Sequence, residues 1–315
     1  MTRLRADLLL LLAALIWGTA FVAQKIGNGA IGPFHFVAGR FVLSAVLLAP
    51  FAWREAGSAG PMTRGNRMLA IGIGAVLFGG ATAQQIGLMT TTVSNACFIT
   101  SLYIAFVPFV AWLILRTAVR PLVLAAVVVS LGGAWLLADN GQTANGEAAR
   151  LSGGDLLVAV SAVLYAFHIV LVSIFLKRTH RPYFLSFTQY SVTAAIAAAV
   201  GLAIEPFDWQ AAQGALPTVL YAGVLSGGVG YTLQIVAQRY TPATEAALIM
   251  SLESVFAAVA GAVLLDERLT LPALAGCGLI LMGVVMVEVI PALPRRNRPR
   301  DDADEFPPIG TVPLD

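Results

Sequence analysis

Few residues in this chain are equipped for chemistry, and most of those that are stand where chemistry is expensive. Glu253 lies in the middle of the apolar run 243–265. A charge at that depth of a bilayer costs about 2.5–3.5 kcal/mol on insertion scales, so it must face a wet cavity or a partner. It is a candidate for holding a substrate ammonium group or a proton, or for a structural hydrogen bond. Arg40 is a cation about seven residues from the end of the run 34–52. It can snorkel outward, pair with an acid or meet a substrate carboxylate, and is placed with gating and interface residues. Trp17, Phe21, Tyr103, Tyr165 and Tyr231 can line a pocket for apolar or aromatic groups through stacking and cation–π contacts, or can simply pack. His168 is one turn from Tyr165 on the same helix face and joins the candidate cavity set, although a buried, satisfied imidazole is its plainer role. Gln84, Gln85 and Gln234 are amides that need partners in lipid, which suits polar interfaces or gates. Pro108 should bend its helix.

Other chemistry has little to build on. Lysine occurs only at Lys25 and Lys177, neither after glycine, so there is no Walker A loop. There are three histidines, no HExxH and no GxSxG. Cys97 and Cys277 sit in apolar runs without metal or disulfide spacing, so no metal and no cofactor is expected. An intramembrane enzyme would have Glu253 and His168 as its sole candidate pair, and the chain is read as not an enzyme. No large soluble sensing domain is present to suggest a receptor.

These residues are positioned by helices in lipid. Of 315 residues, 58% are hydrophobic and 11% charged, and the mean hydropathy is +0.82. A soluble domain carries roughly 25% charged residues. A net charge of +2 does not suggest a nucleic-acid partner. Ten stretches are long enough to cross a bilayer, about 6–25, 34–52, 68–88, 93–115, 121–138, 155–176, 183–204, 216–236, 243–265 and 271–290. The first is read as a span rather than a cleaved signal, since its apolar run continues to Ala23. With the N-terminus inside, inner segments hold Arg3, Arg5, Arg54, Arg64, Arg67, Arg116, Arg120, Lys177, Arg178, Arg181, Arg239, Arg295, Arg296, Arg298 and Arg300, against Lys25, Arg150 and Arg268 outside. The positive-inside rule therefore puts both termini in the cytoplasm of a multi-pass inner-membrane protein.

The two halves repeat at an offset of 148–150 residues. Asp7-Leu8-Leu9 matches Asp155-Leu156-Leu157, and Trp17 matches Tyr165. Gly80, Gln84, Thr91, Ser101, Leu102 and Phe106 match Gly230, Gln234, Thr241, Ser251, Leu252 and Phe256. The expected units are a first repeat over 1–138, an extracytoplasmic linker over 139–154, a second repeat over 155–291 and a disordered cytoplasmic tail over 292–315. Five spans is odd, so the second copy enters the membrane inverted. Inverted repeats typify secondary transporters, which work by alternating access to a central site. Gly223 and Gly227 form a GxxxG, read here as packing within one chain rather than dimerisation, and the chain is read as a monomer.

Two segments carry a resemblance. Ala14-Leu-Ile-Trp17-Gly18-Thr-Ala-Phe21 in the first repeat, and Glu253 followed by Asp266-Glu267-Arg268-Leu269 in the second, resemble the EamA family of the drug/metabolite transporter superfamily over roughly residues 6–290. The family pattern often has Pro after the glutamate, where this chain has Ser254. The resemblance implies an all-α polytopic carrier with ten transmembrane helices as two inverted five-helix repeats. It implies export of amino acids, aromatic or other neutral ones, or of related small metabolites. Proton coupling stays open. A drug or nucleotide-sugar carrier of the same superfamily is the alternative, although a nucleotide sugar's phosphates call for more cavity cations than Arg40.

Overall fold

In the computed structural model the described residues are 1–58, 60–91, 93–116, 119–139, 152–264 and 271–288. The Asp266–Leu269 motif, Arg150, most of the linker, the tail and the Asn95 side chain lie outside them. The described residues are mostly helical and form ten spans. The first three are α1 (Arg3–Asn28), α2 (Pro33–Ser58) and α3 (Arg64–Thr90). The fourth is α4 (Val93–Ser101) continued by α5 (Tyr103–Leu115), and the fifth is α6 (Pro121–Asp139). The second half repeats the series with α7 (Gly153–Thr179) and α8 (Pro182–Ile204). The eighth span is α9 (Trp209–Leu220), a π-helical segment (Tyr221–Gly230) and α10 (Tyr231–Ala237). The ninth joins α11 (Ala243–Met250) to α12 (Glu253–Leu264), and the tenth is α13 (Leu271–Glu288). Eight spans are long and apolar enough to cross a membrane, and Pro121–Leu136 and Leu274–Val287 are shorter apolar helices.

Local sequence explains the boundaries. Three helices start at proline (Pro33, Pro121 and Pro182), where the missing N–H costs nothing. Ser152 and Asp155 form a capping box on α7. Large apolar side chains such as Leu12, Val46, Trp53, Val128, Trp135 and Leu202 are exposed on the outside of the bundle, while polar ones such as Gln84, Gln85, Gln189 and Ser161 are buried inside it. This is the inverse of a soluble surface and fits a lipid solvent.

The helices pair across the repeats. α2 lies along α8, α3 along α7 and α6 along α13. Carboxylates clasp the first pair reciprocally. Glu205, just past α8, accepts from the backbone N–H groups of Phe34 and His35 at the start of α2, both at 3.0 Å. Glu55, near the end of α2, accepts from Tyr183 at 3.4 Å and Phe184 at 2.6 Å at the start of α8. Each acid satisfies orphan donors of the opposite helix and lies at the positive end of its dipole.

The fourth and ninth spans each break at a position the sequence does not mark. α5 runs through Pro108 without interruption. The break in the fourth span falls at Leu102, and its counterpart in the ninth falls at Ser251–Leu252. These positions are repeat equivalents, and neither break holds a proline. The half-helices after them therefore begin at Tyr103 and at Glu253. The GxxxG glycines pack inside the chain. A Cβ on Gly223 would lie 2.8 Å from the Arg40 carbonyl, and Ser44 Oγ donates to the Gly223 carbonyl at 2.7 Å.

Candidate functional site

One cavity lies between the repeats. It is lined by Trp17, Phe21, Gln24, Arg40, Gln84, Thr100, Tyr103, Tyr165, His168, Ile169, Ser226, Tyr231, Gln234, Met250 and Glu253. The space among these side chains, including its open side, is about 470 Å³. It draws on spans one to four from the first repeat and on spans six, eight and nine from the second.

Its walls are built by repeat-related contacts that cross between halves. Trp17 lies across Gly230, where a Cβ would stand 2.7 Å from the indole nitrogen. Its partner in the repeat, Tyr165, lies across Gly80, where a Cβ would stand 3.2 Å from the ring. A side chain in place of either glycine would push an aromatic wall inward. The indole N–H donates to the Ser226 carbonyl at 3.1 Å, a group at the π-helical segment. Such π segments recur at functional sites because they displace the backbone from the regular ladder. Trp17 also packs on Tyr231 at 4.8 Å between ring centroids, and His168 meets Tyr231 edge-on at 6.0 Å.

Glu253 is 4% exposed, and its Oε1 has no hydrogen-bond partner. The Tyr103 hydroxyl neighbours its carboxyl. Tyr103 Oη and Gln234 Oε1 likewise lack hydrogen-bond partners. Glu253 opens the half-helix α12 beside the close approach of Gly18, where a Cβ would lie 2.6 Å from the Glu253 carbonyl. The positive end of the α12 dipole therefore meets this carboxyl group.

All seven side chains expected to form a central cavity from sequence line this space. The gating and interface set divides. Gln84, Gln234 and Arg40 are in the cavity wall. Gln84 donates to Thr100 at 3.0 Å and Gln234 to Gln238 at 3.0 Å. Gln85 is behind the wall, donating to Asn28 Oδ1 at 2.8 Å and to the Gln24 carbonyl at 3.2 Å. Pro108 is buried in α5 and does not line the cavity. Arg40 does not snorkel. It is 2% exposed, with Gln24 of α1 on its guanidinium and Gly223 of the π-helical segment against its backbone. His168 is both a wall residue and satisfied, with Nε2 3.0 Å from Gln189 Oε1. No hydrogen bond joins it to Glu253 among the described residues. Nor do any three His, Cys, Asp or Glu side chains among them gather as a metal site would need.

Gln24, Thr100, Ile169, Ser226 and Met250 were not foreseen. Gln24 had a signal, since positions 17, 21 and 24 share one helix face. Ile169 and Met250 had none in so apolar a chain.

At each end of the bundle stands a repeat-related contact. Where the chain begins, Thr241 donates to Asp7 at 2.8 Å, and Arg3 pairs with Asp7 and with Glu245. At the opposite end Thr91 donates to Asp155, and Lys25 donates to the carbonyls of Leu88 and Thr91. Asp7 with Thr241 and Asp155 with Thr91 are the same pair in the two repeats.

An inverted ten-span bundle around a shared polar and aromatic cavity defines a membrane transporter fold. The EamA-like transporter family profile matches twice, at residues 4–138 and 152–289, and the chain belongs to that family. An "Uncharacterized transporter" of Archaeoglobus fulgidus is 30% identical over 289 residues, covering 91% of this chain and 87% of that protein. The "Uncharacterized transporter YwfM" of Bacillus subtilis is 24% identical over 303 residues, covering 94% and 97%. A crystal structure with 19% identity superposes with a TM-score of 0.75 over 91% of this chain and 97% of its own, which supports the fold.

Proposed function

We propose that the protein is a secondary carrier that exports neutral amino acids, aromatic ones among them, from the cytoplasm across the inner membrane by alternating access. The chain works as a monomer with both termini cytoplasmic. The observation that carries this reading is the pair of repeat-related Asp–Thr hydrogen bonds, one at each end of a cavity built from both repeats. Two near-equivalent closures around one site are what a rocking carrier needs. The apolar and aromatic wall of Trp17, Phe21, Tyr165 and Tyr231 suits a hydrophobic side chain, and the polar atoms suit a small charged backbone. Arg40 is the one cation in that wall, which argues against a nucleotide sugar. The test is counterflow of labelled phenylalanine or tryptophan in proteoliposomes. Wild type is expected to accumulate label, and Trp17→Ala and Glu253→Gln to slow it at least about tenfold, as loss of a buried recognition contact does. Chemical turnover without movement of any solute would refute a carrier. A pH gradient imposed on the same vesicles decides whether a proton is coupled.

A further inference from the structure

The cavity wall holds a buried guanidinium and a buried carboxyl group that do not meet. Arg40 donates from Nη1 to Gln24 Oε1 at 2.9 Å, its guanidinium lies 4.8 Å from the Phe41 ring centroid, and its Nε has no hydrogen-bond partner. No acid pairs with it among the described residues. Gln24 is 3% exposed and gives its own N–H to the Ala20 carbonyl at 3.4 Å, so its oxygen is free to orient the guanidinium. Glu253 has no basic partner among the described residues, and its Oε1 is unbonded. Tyr165 and Tyr231 line the same cavity as Arg40 and Glu253.

A buried guanidinium held by a neutral amide retains its full charge and an unused donor. In the same cavity wall, Glu253 Oε1 and Gln234 Oε1 are unbonded acceptors that can serve the opposite pole. Resting on the amino-acid reading above, we infer that the site selects zwitterions. Arg40, oriented by Gln24, takes the cargo carboxylate, and Glu253 takes its ammonium group. Either group left unmatched would stay buried and unpaired, so amines and carboxylic acids with the same side chain are rejected. Gln24 acts through Arg40 and is a positioning residue.

The test is counterflow of labelled phenylalanine in proteoliposomes, with phenethylamine (no carboxylate) and 3-phenylpropanoate (no ammonium) as competitors and as labelled cargoes. With wild type, each should compete at least about 100-fold more weakly than phenylalanine, as when a site's polar group is left unpaired. Arg40→Gln should lose phenylalanine yet improve the ratio of phenethylamine to phenylalanine. Glu253→Gln should improve the ratio for 3-phenylpropanoate. Gln24→Glu supplies Arg40 with an internal counter-charge. It should abolish phenylalanine transport while raising the melting temperature, and it decides the matter if Arg40→Gln does not fold. Equal loss of all three cargoes in both charge variants overturns the inference. So does wild-type transport of phenethylamine as fast as phenylalanine, an outcome that leaves the amino-acid reading standing. If no neutral amino acid moves at all, that reading fails, and the zwitterion site fails with it.

Discussion

At the residue scale, the site depends on what is missing from small side chains as much as on what polar ones offer. Gly18 lets α1 reach the backbone of α12, and an added side chain would meet the Glu253 carbonyl and Phe256 Cβ at 2.6 and 2.8 Å. Gly18→Val should displace the carboxyl group and cost about 1–3 kcal/mol in stability, typical of overpacking. Transport should fall at least tenfold. Gly57→Val is the control, since nothing lies within 4 Å of its added Cβ. Thermal melting and counterflow on both variants check this, and equal effects would show that the glycine contact is not special. The residue types at the site were largely legible in the sequence, because Trp17, Tyr165 and Glu253 stand near the midplane of their spans. Arg40 was visible, but its direction was not. Distance from a helix end suggests snorkelling, whereas burial depends on which neighbour lies over that face.

At the element scale, the reciprocal caps and the two end contacts make separate predictions. Glu55→Gln and Glu205→Gln each weaken a charge-assisted cap and should each cost about 0.5–2 kcal/mol of stability. The two losses should add if the clasps are independent. Detergent-solubilised melting curves of the two variants and their double form measure this. The Asp–Thr contacts predict opposite effects on access. Thr241→Val removes the contact where the chain begins and should favour opening at that end. Thr91→Val should favour opening at the other. A hydrogen bond to a charged group is worth about 1.5–3 kcal/mol, enough to move the population about tenfold or more. Labelling of a cysteine introduced in the cavity, from each side of oriented vesicles, reads the shift. A shift in the same direction for both variants would exclude paired gating. The sequence pointed to Asp7, Asp155, Thr91 and Thr241 as repeat matches, but not to their pairing, because partners more than 60 residues apart leave no local signal. The helix breaks were equally hidden. Pro108 drew attention, yet the half-helices begin at Tyr103 and Glu253, where no proline or glycine marks the turn.

At the scale of the whole molecule, charge scarcity and span counting described the architecture well. Every span could be placed because the solvent is lipid and hydrophobicity there is uniform. That same uniformity hid which faces meet, so the pairing of α2 with α8, α3 with α7 and α6 with α13 had to come from the structure. Orientation is open to direct measurement. A membrane-impermeant maleimide should reach a cysteine placed at Gly60 only from the cytoplasmic side, in a chain with Cys97 and Cys277 replaced. Labelling of intact cells would reverse the assigned topology.

The exchange of aromatics across the repeats has a consequence for biogenesis. Trp17 rests on Gly230 and Tyr165 on Gly80, so each half carries a wall that only the other half completes. During synthesis the first five helices must wait in the bilayer with Arg40, Gln84 and Gln85 lacking part of their cover. That half should be a transient that quality-control proteases degrade when it is expressed alone. Its survival should rise when the second half is supplied as a separate chain, cut within residues 140–151, and the two should then be recovered together. Splitting the chain would thus turn the assembly of one polypeptide into the association of two.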